Sequence, residues 1–211
     1  RADAVAAKLA ATKAALVAKA EAEAHLLPLR PLPVIHAIGQ LLPDDAIVIE
    51  EALSSGMNFI RHLIPSNHPD SYFGMRGGGI GMGLPQAIGA ALAKPGRPVV
   101  ALSGDGSAMY SVQALWTAAH YRLPVIFVIL NNRSYRILKQ RTRAIGDHSA
   151  REDTFVAMDF TDPPIDFVML AEAQGVAAVR VETLDGLREA LTRGLSANAP
   201  LLIDVVMDST V

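Results

Sequence analysis

From Pro33 onward, short β-branched runs alternate with stretches of helical pattern, and glycine, proline or aspartate marks each change. Ala46–Ile49, Pro98–Leu102, Val125–Leu130, Ala178–Val181 and Leu201–Val206 read as strands. Val34–Leu42, Leu84–Ala93, Tyr110–Tyr121, Ile165–Gln174 and Leu184–Leu195 read as helices. The strands are largely apolar, so both faces of their sheet must be covered. Strands separated by helices with right-handed crossovers achieve this, which predicts an α/β fold: a three-layer αβα sandwich around a mostly parallel sheet. Ligands of such sheets bind beyond the carboxyl ends of the strands, so the residues that follow each strand are expected to carry the chemistry.

Composition narrows the class. With 51% hydrophobic residues, 19% charged residues and a net charge of −2, the 211-residue chain is neither disordered nor a polycation suited to nucleic acid. The absence of cysteine excludes a disulfide framework, a thiolate zinc site and a cysteine nucleophile. The longest purely apolar run, Val125–Leu130, falls far short of the roughly 20 residues of a membrane helix. No membrane partner and a cytoplasmic location are expected. Ala2–Ala24 is alanine-rich, with a thin stripe of Val5, Leu9, Leu16 and Val17, and reads as a surface helix without the aromatic anchors of a membrane-lying one. The prolines at positions 28, 31 and 33 stop it. The chain is therefore divided into a helical connector over 1–30 and a binding domain over 31–211. It begins with Arg1 and carries no signal pattern, so it is expected to start inside a longer protein.

Three strand ends are chemically conspicuous. Glu50-Glu51-Ala52-Leu53-Ser54 follows the first, Ser103-Gly104-Asp105-Gly106-Ser107 the second and Asn131-Asn132-Arg133-Ser134-Tyr135 the third, with Gly77-Gly78-Gly79-Ile80-Gly81 between the first two. Glycines beside Asp105 let backbone approach a ligand, while the carboxylate offers a hard oxygen. Asp105 and Asn132 end strands joined by one helix, so both oxygens can reach the same sheet edge. Two such ligands do not complete a magnesium octahedron, and the remainder points to phosphate oxygens and a backbone carbonyl. A helix-capping role would explain Asp105 alone, but not its pairing with Asn131-Asn132. The dinucleotide fingerprint fails at every register, because Met82, Leu84 or Met109 stands where its third glycine or alanine belongs. No glycine–lysine–serine/threonine phosphate loop exists. The histidines show no metal spacing, and His120 near a helix end suits a dipole-favoured role better than catalysis.

Gly104-Asp105-Gly106-Ser107 followed after one strand–helix–strand passage by Asn131-Asn132 resembles the signature of thiamine diphosphate enzymes. The likeness runs from about Leu32 to the C-terminus. Gly78-Gly79-Ile80-Gly81, Ser111-Val112-Gln113-Ala114-Leu115-Trp116 and Pro163-Pro164-Ile165-Asp166-Phe167 resemble the diphosphate-binding C-terminal domain of benzoylformate decarboxylase and of acetolactate-synthase-like enzymes. The resemblance implies a cofactor, thiamine diphosphate, anchored through Mg²⁺ held by Asp105, the Asn132 side chain and the Ser134 carbonyl. It implies that Gly104, Gly106 and Ser107 line the diphosphate and that Ile80 props the cofactor's bent shape. The Gly78 carbonyl would accept from the aminopyrimidine, with Leu53, Ser54 and Tyr135 nearby.

In that family the cofactor carries the chemistry of 2-keto acid decarboxylation. A glutamate of an N-terminal pyrimidine-binding domain activates it. No such domain is present in this chain, and Glu50 and Glu51 stand at the diphosphate end. The resemblance thus implies a partner domain, normally from a neighbouring subunit of a homodimer or homotetramer, with no catalytic residue here and no activity from this chain alone.

Arg133–Arg143 carries five cationic residues, and the stretch from there to Pro164 lacks clear periodicity, which suggests a lid or substrate-side element. Ile137 and Leu138 are the better substrate-pocket candidates. Arg136 or Arg141 is placed to meet a substrate carboxylate, although such a charge run usually forms a solvated helix face. These charges argue against an aromatic substrate. Besides a decarboxylase domain, the residues are compatible with an acetolactate-synthase-like carboligase, a stand-alone subunit of a two-subunit decarboxylase, or a non-catalytic phosphate-binding module.

Overall fold

The computed structural model describes residues 1–56, 59–75 and 77–211. In chain order the elements are α1 (Ala2–Glu23), α2 (Pro31–Leu41), β1 (Ile47–Glu51), a 3₁₀ turn (Leu53–Ser55), α3 (Ile60–Leu63), β2 (Tyr72–Gly74), α4 (Gly83–Ala93), β3 (Val99–Gly104), α5 (Asp105–Ala108), α6 (Ala114–His120), β4 (Val125–Asn131), α7 (Arg136–Ile145), α8 (His148–Arg151), α9 (Phe167–Glu172), β5 (Ala177–Val181), α10 (Leu184–Ser196) and β6 (Leu201–Val206). Among the described residues the six strands form one sheet in the order β2-β1-β3-β4-β6-β5, with every pairing parallel.

Two hydrophobic layers cover the sheet. Residues of α2, α3 and α10 pack with Val48, Val100, Leu102, Val128 and Ile203 on one face. Residues of α4, α6 and α9 pack with Ile47, Ile49, Ala101, Phe127 and Leu202 on the other. Steps toward the β5 edge carry α4, α6 and α9, whereas α3 and α10 accompany the two steps back, so a single crossover hand is kept. The reversal next to β1 opens a crevice at the carboxyl ends of β1, β3 and β4.

The five strands read from sequence are present, and β2 is an addition. It has only three residues, all of them half-buried, so it leaves little apolar signal. Pro31 and Pro33, read as breakers, instead occupy the first turn of α2, where a missing amide costs nothing. The helix expected from Tyr110 begins at Ala114, after a series of turns. The aperiodic stretch after Arg133 contains α7 and α8; α7 places Ile137, Leu138 and Ile145 on one face, but Lys139 is its only buried residue, so that face does not pack into the core. Near the end of α1, Ala20 is buried and Leu16 and Val17 lie against the core. Among the described residues no helix is long and apolar enough to cross a membrane.

Candidate functional site

β3 and β4 run side by side with Gly104 opposite Leu130, so the turns that follow them share one edge. Asp105 opens α5 and is 3% exposed. Its Oδ1 accepts from the Gly106 amide at 2.8 Å and its Oδ2 from the Ser134 amide at 3.3 Å, which fastens the two turns together. Burial pushes the Asp105 carboxyl up to about 6, because the backbone amides around it replace hydration incompletely. In the same cavity wall, Asn132 Oδ1 is buried without a hydrogen-bond partner, as are the hydroxyls of Ser107 and Ser134. An unpaired buried acceptor and a buried carboxylate in one cavity wall are groups that a divalent cation would satisfy. Arg133, between Asn132 and Ser134, has a left-handed φ of 56°, a conformation that a non-glycine residue adopts only when its surroundings hold it there.

The opposite rim follows β1. Leu53 also takes a left-handed φ, of 39°. Glu50 accepts from the Ala52 amide and from the Tyr72 hydroxyl, each at 3.0 Å, and so ties the end of β1 to β2. Burial, helped by the Glu50 carboxylate, raises Tyr72 to about 12. Glu51 is fully buried and accepts from three successive amides, those of Gly81, Met82 and Gly83 at 2.5, 3.1 and 2.8 Å. It therefore holds the start of α4 and the end of the glycine loop that carries Gly78 and Ile80.

Between the rims lies a cavity of about 390 Å³, of a size suited to a cofactor. Leu53, Ser54, Gly78, Ile80, Gly104, Asp105, Gly106, Ser107, Asn132, Ser134, Tyr135, Ile137 and Leu138 all line it, so thirteen residues named from sequence converge there. Arg141 does not: it is exposed on α7, one turn beyond Ile137 and Leu138. Ala52, Met75, Tyr110 and Arg136 complete the lining. Met75 follows β2, the strand without a sequence signal, and Tyr110 had been read as part of a helix. Ala52 had a signal, since it lies inside the conspicuous run after β1.

Of the charges of 133–143, Arg136 alone lines the cavity, as the sequence allowed. Arg136 donates to the Asp208 carbonyl, Lys139 pairs with Asp159, and Arg143 pairs with Asp153. One guanidinium, that of Arg136, therefore stands on a wall otherwise formed here by Ile137 and Leu138. Residues 144–164 do not line the cavity. They buttress it: the Tyr135 amide donates to the Met158 carbonyl, the Phe160 amide to the Arg133 carbonyl, and the Phe160 ring meets Tyr135 edge-on at 4.6 Å. A side chain on Gly106 would come within 2.8 Å of Tyr135 and 3.3 Å of Phe160, so these rings demand a glycine there.

Fold and cavity together define a parallel α/β domain with an oxygen-lined ligand site at its topological switch point. Residues 54–205 match the family described as thiamine pyrophosphate enzyme, C-terminal TPP binding domain, and the chain belongs to that family. It is 40% identical over 178 residues to the benzoylformate decarboxylase of Pseudomonas aeruginosa, covering 84% of this chain and 32% of the relative. It is 34% identical over 167 residues to the acetolactate synthase isozyme 2 large subunit of Escherichia coli, covering 79% of this chain and 29% of the relative. The solved 4-hydroxybenzoylformate decarboxylase of Rhodococcus jostii RHA1, thiamine diphosphate-dependent, superposes with a TM-score of 0.79 at 37% identity, covering 87% of this chain and 33% of that one. The benzoylformate decarboxylase of Polynucleobacter necessarius superposes with a TM-score of 0.82 at 32% identity, covering 89% and 35%. The chain thus spans about a third of the length of the relatives it matches.

Proposed function

We propose that this chain anchors thiamine diphosphate through Mg²⁺ in an enzyme that decarboxylates a 2-keto acid of the benzoylformate type. The observation that carries the reading is the unpartnered Asn132 Oδ1, buried in the same cavity wall as the equally buried Asp105. Asp105, Asn132 and the Ser134 carbonyl would hold the cation, with the Ser107 hydroxyl and the Gly104–Gly106 backbone against the diphosphate. Bound there, the cofactor would supply an electron sink for loss of carbon dioxide. The chain's own part is to bind, orient and exclude water. Ile80 and Leu53 offer apolar support to the cofactor, and the Gly78 carbonyl an acceptor. Ile137 and Leu138, with Met75, provide an apolar wall for the side chain of the acid.

Activation of the cofactor would come from a pyrimidine-binding domain, supplied by a neighbouring subunit in a homodimer or homotetramer. The helical connector over 1–30 would link such a domain to the one at 31–211. A cytoplasmic location suits this reading. The similarity to acetolactate synthase favours a second reading, carboligation of 2-keto acids. Supplying benzoylformate and pyruvate separately to the intact enzyme distinguishes them: benzaldehyde from the first supports decarboxylation, and acetolactate from the second supports carboligation. In either case Asp105→Ala should abolish cofactor retention, and unchanged cofactor content with unchanged turnover would refute the assignment.

A further inference from the structure

β6 is apolar except at Asp204, which is fully buried between β4 and β5. Both carboxylate oxygens are used. Oδ1 accepts from Asn131 Nδ2 at 2.9 Å and Oδ2 from Arg180 Nε at 2.8 Å. Arg180 is itself oriented by Asp166, 3.1 Å away, whose carboxylate caps α9 through the amides of Val168 and Met169. Asn131 passes the constraint on, because its Oδ1 accepts from the Arg133 amide at 3.2 Å. That amide belongs to the left-handed residue between Asn132 and Ser134.

An asparagine amide can be turned over with little change of shape, so only its partners decide which end faces where. A carboxylate accepts and never donates while ionised, so Asp204 fixes the Asn131 amino group toward itself and leaves the oxygen toward Arg133. An apolar residue of similar volume would serve packing alone at least as well, since a buried charge carries a large desolvation cost. We propose that Asp204, oriented by Arg180, is a positioning residue for the cation site, acting through Asn131 to set the turn that presents the Asn132 side chain and the Ser134 carbonyl. This inference rests on the cofactor reading above and extends it to residues that touch neither cofactor nor cavity.

Asp204→Asn tests it, because an amide offers one oxygen to two donors and leaves its own amino group facing one of them. The readout is Mn²⁺ affinity by electron paramagnetic resonance, in the intact protein with saturating thiamine diphosphate. Loss of an outer-shell partner is expected to weaken affinity about 10- to 100-fold, and excess metal should restore thiamine diphosphate retention. Val181→Ala, which removes buried volume beside Arg180 without touching the relay, should lower stability and leave the affinity unchanged. If Asp204→Asn does not accumulate as folded protein, Asn131→Ser reads the same relay with a side chain too short to bridge both partners. Wild-type affinity in the folded relay variant, or an equal loss in Val181→Ala, would overturn the positioning role and leave the cofactor reading standing. Failure of the unaltered protein to bind Mn²⁺ with thiamine diphosphate would overturn both.

Discussion

The two rims of the cavity are built differently. The rim after β3 and β4 is enclosed: Asp105, Ser107, Asn132 and Ser134 are each 3% exposed, and Tyr135 and Phe160 close over Gly106. The rim after β1 is open on its glycine side. Ile80 is 37% exposed, and side chains added at Gly77, Gly78 or Gly79 would meet nothing within 4 Å. The first rim is determined by contacts within this chain. The second is fastened at its far end by Glu51, and its outer surface faces space that a cofactor and a neighbouring domain would fill under the proposed function. Under that proposal a diphosphate anchor is formed by one domain, whereas the pyrimidine side would need two.

The largest effect is expected where the open rim meets the core. Glu51→Ala leaves three amides at the start of α4 without their acceptor, in a buried setting. Breaking a buried charged network of this kind costs about 3–5 kcal/mol. Denaturant unfolding should show that loss, and Glu51→Gln, which keeps the shape and one good acceptor, should recover part of it. A Glu51→Ala protein that unfolds at the wild-type midpoint would mean that the glycine loop is held by something other than this carboxylate.

Glycine substitutions compare the rims directly. Gly106→Ala must displace two aromatic rings, an overpacking that costs about 1–3 kcal/mol and should also lower cofactor affinity by moving Tyr135. Gly78→Ala meets no neighbour, but its φ of 74° carries a strain of about 1–2 kcal/mol for a residue with a Cβ. The smaller stability loss is therefore expected for Gly78→Ala, measured by the same unfolding curves. The reverse order would show that the enclosed rim yields more easily than its packing suggests.

How far the sequence disclosed this site depended on how local each determinant was. Asp105, Asn132 and their glycines follow long apolar strands, so period and punctuation located them without a structure. Met75 stayed hidden because β2 is held by pairing with β1 rather than by its own composition. The role of Glu51 was equally invisible, since its partners lie thirty or more residues away and are backbone amides, which carry no side-chain signature. The charges of α7 were only partly legible for a related reason: Arg136 lines the cavity, while the partners of Lys139 and Arg143, Asp159 and Asp153, are fixed only once the segment after α8 folds back. Fold class and the enclosed rim were thus legible, while long-range fastening of the open rim was not.

The opposite end of the sheet provides the smallest effect and a control for the rest. Ahead of β2, Asp70 pairs with Lys94 at 2.8 Å and Arg97 at 2.9 Å, between α4 and β3 and away from the cavity. Hydrogen bonds from Lys94 and then Arg97 hold its carboxyl well below the usual carboxylate range. A group depressed in the folded state contributes stability above its unfolded pKa, and that contribution fades as pH falls toward the folded value. Asp70→Asn should therefore lower the melting temperature slightly at pH 7, with the gap to wild type narrowing below about pH 4 and in high salt. Because the pair is solvent-exposed and remote from the proposed cation site, Mn²⁺ affinity should not change. A change there would mean that the two ends of the sheet are mechanically coupled, and that the enclosed rim owes its geometry to more than the contacts surrounding it.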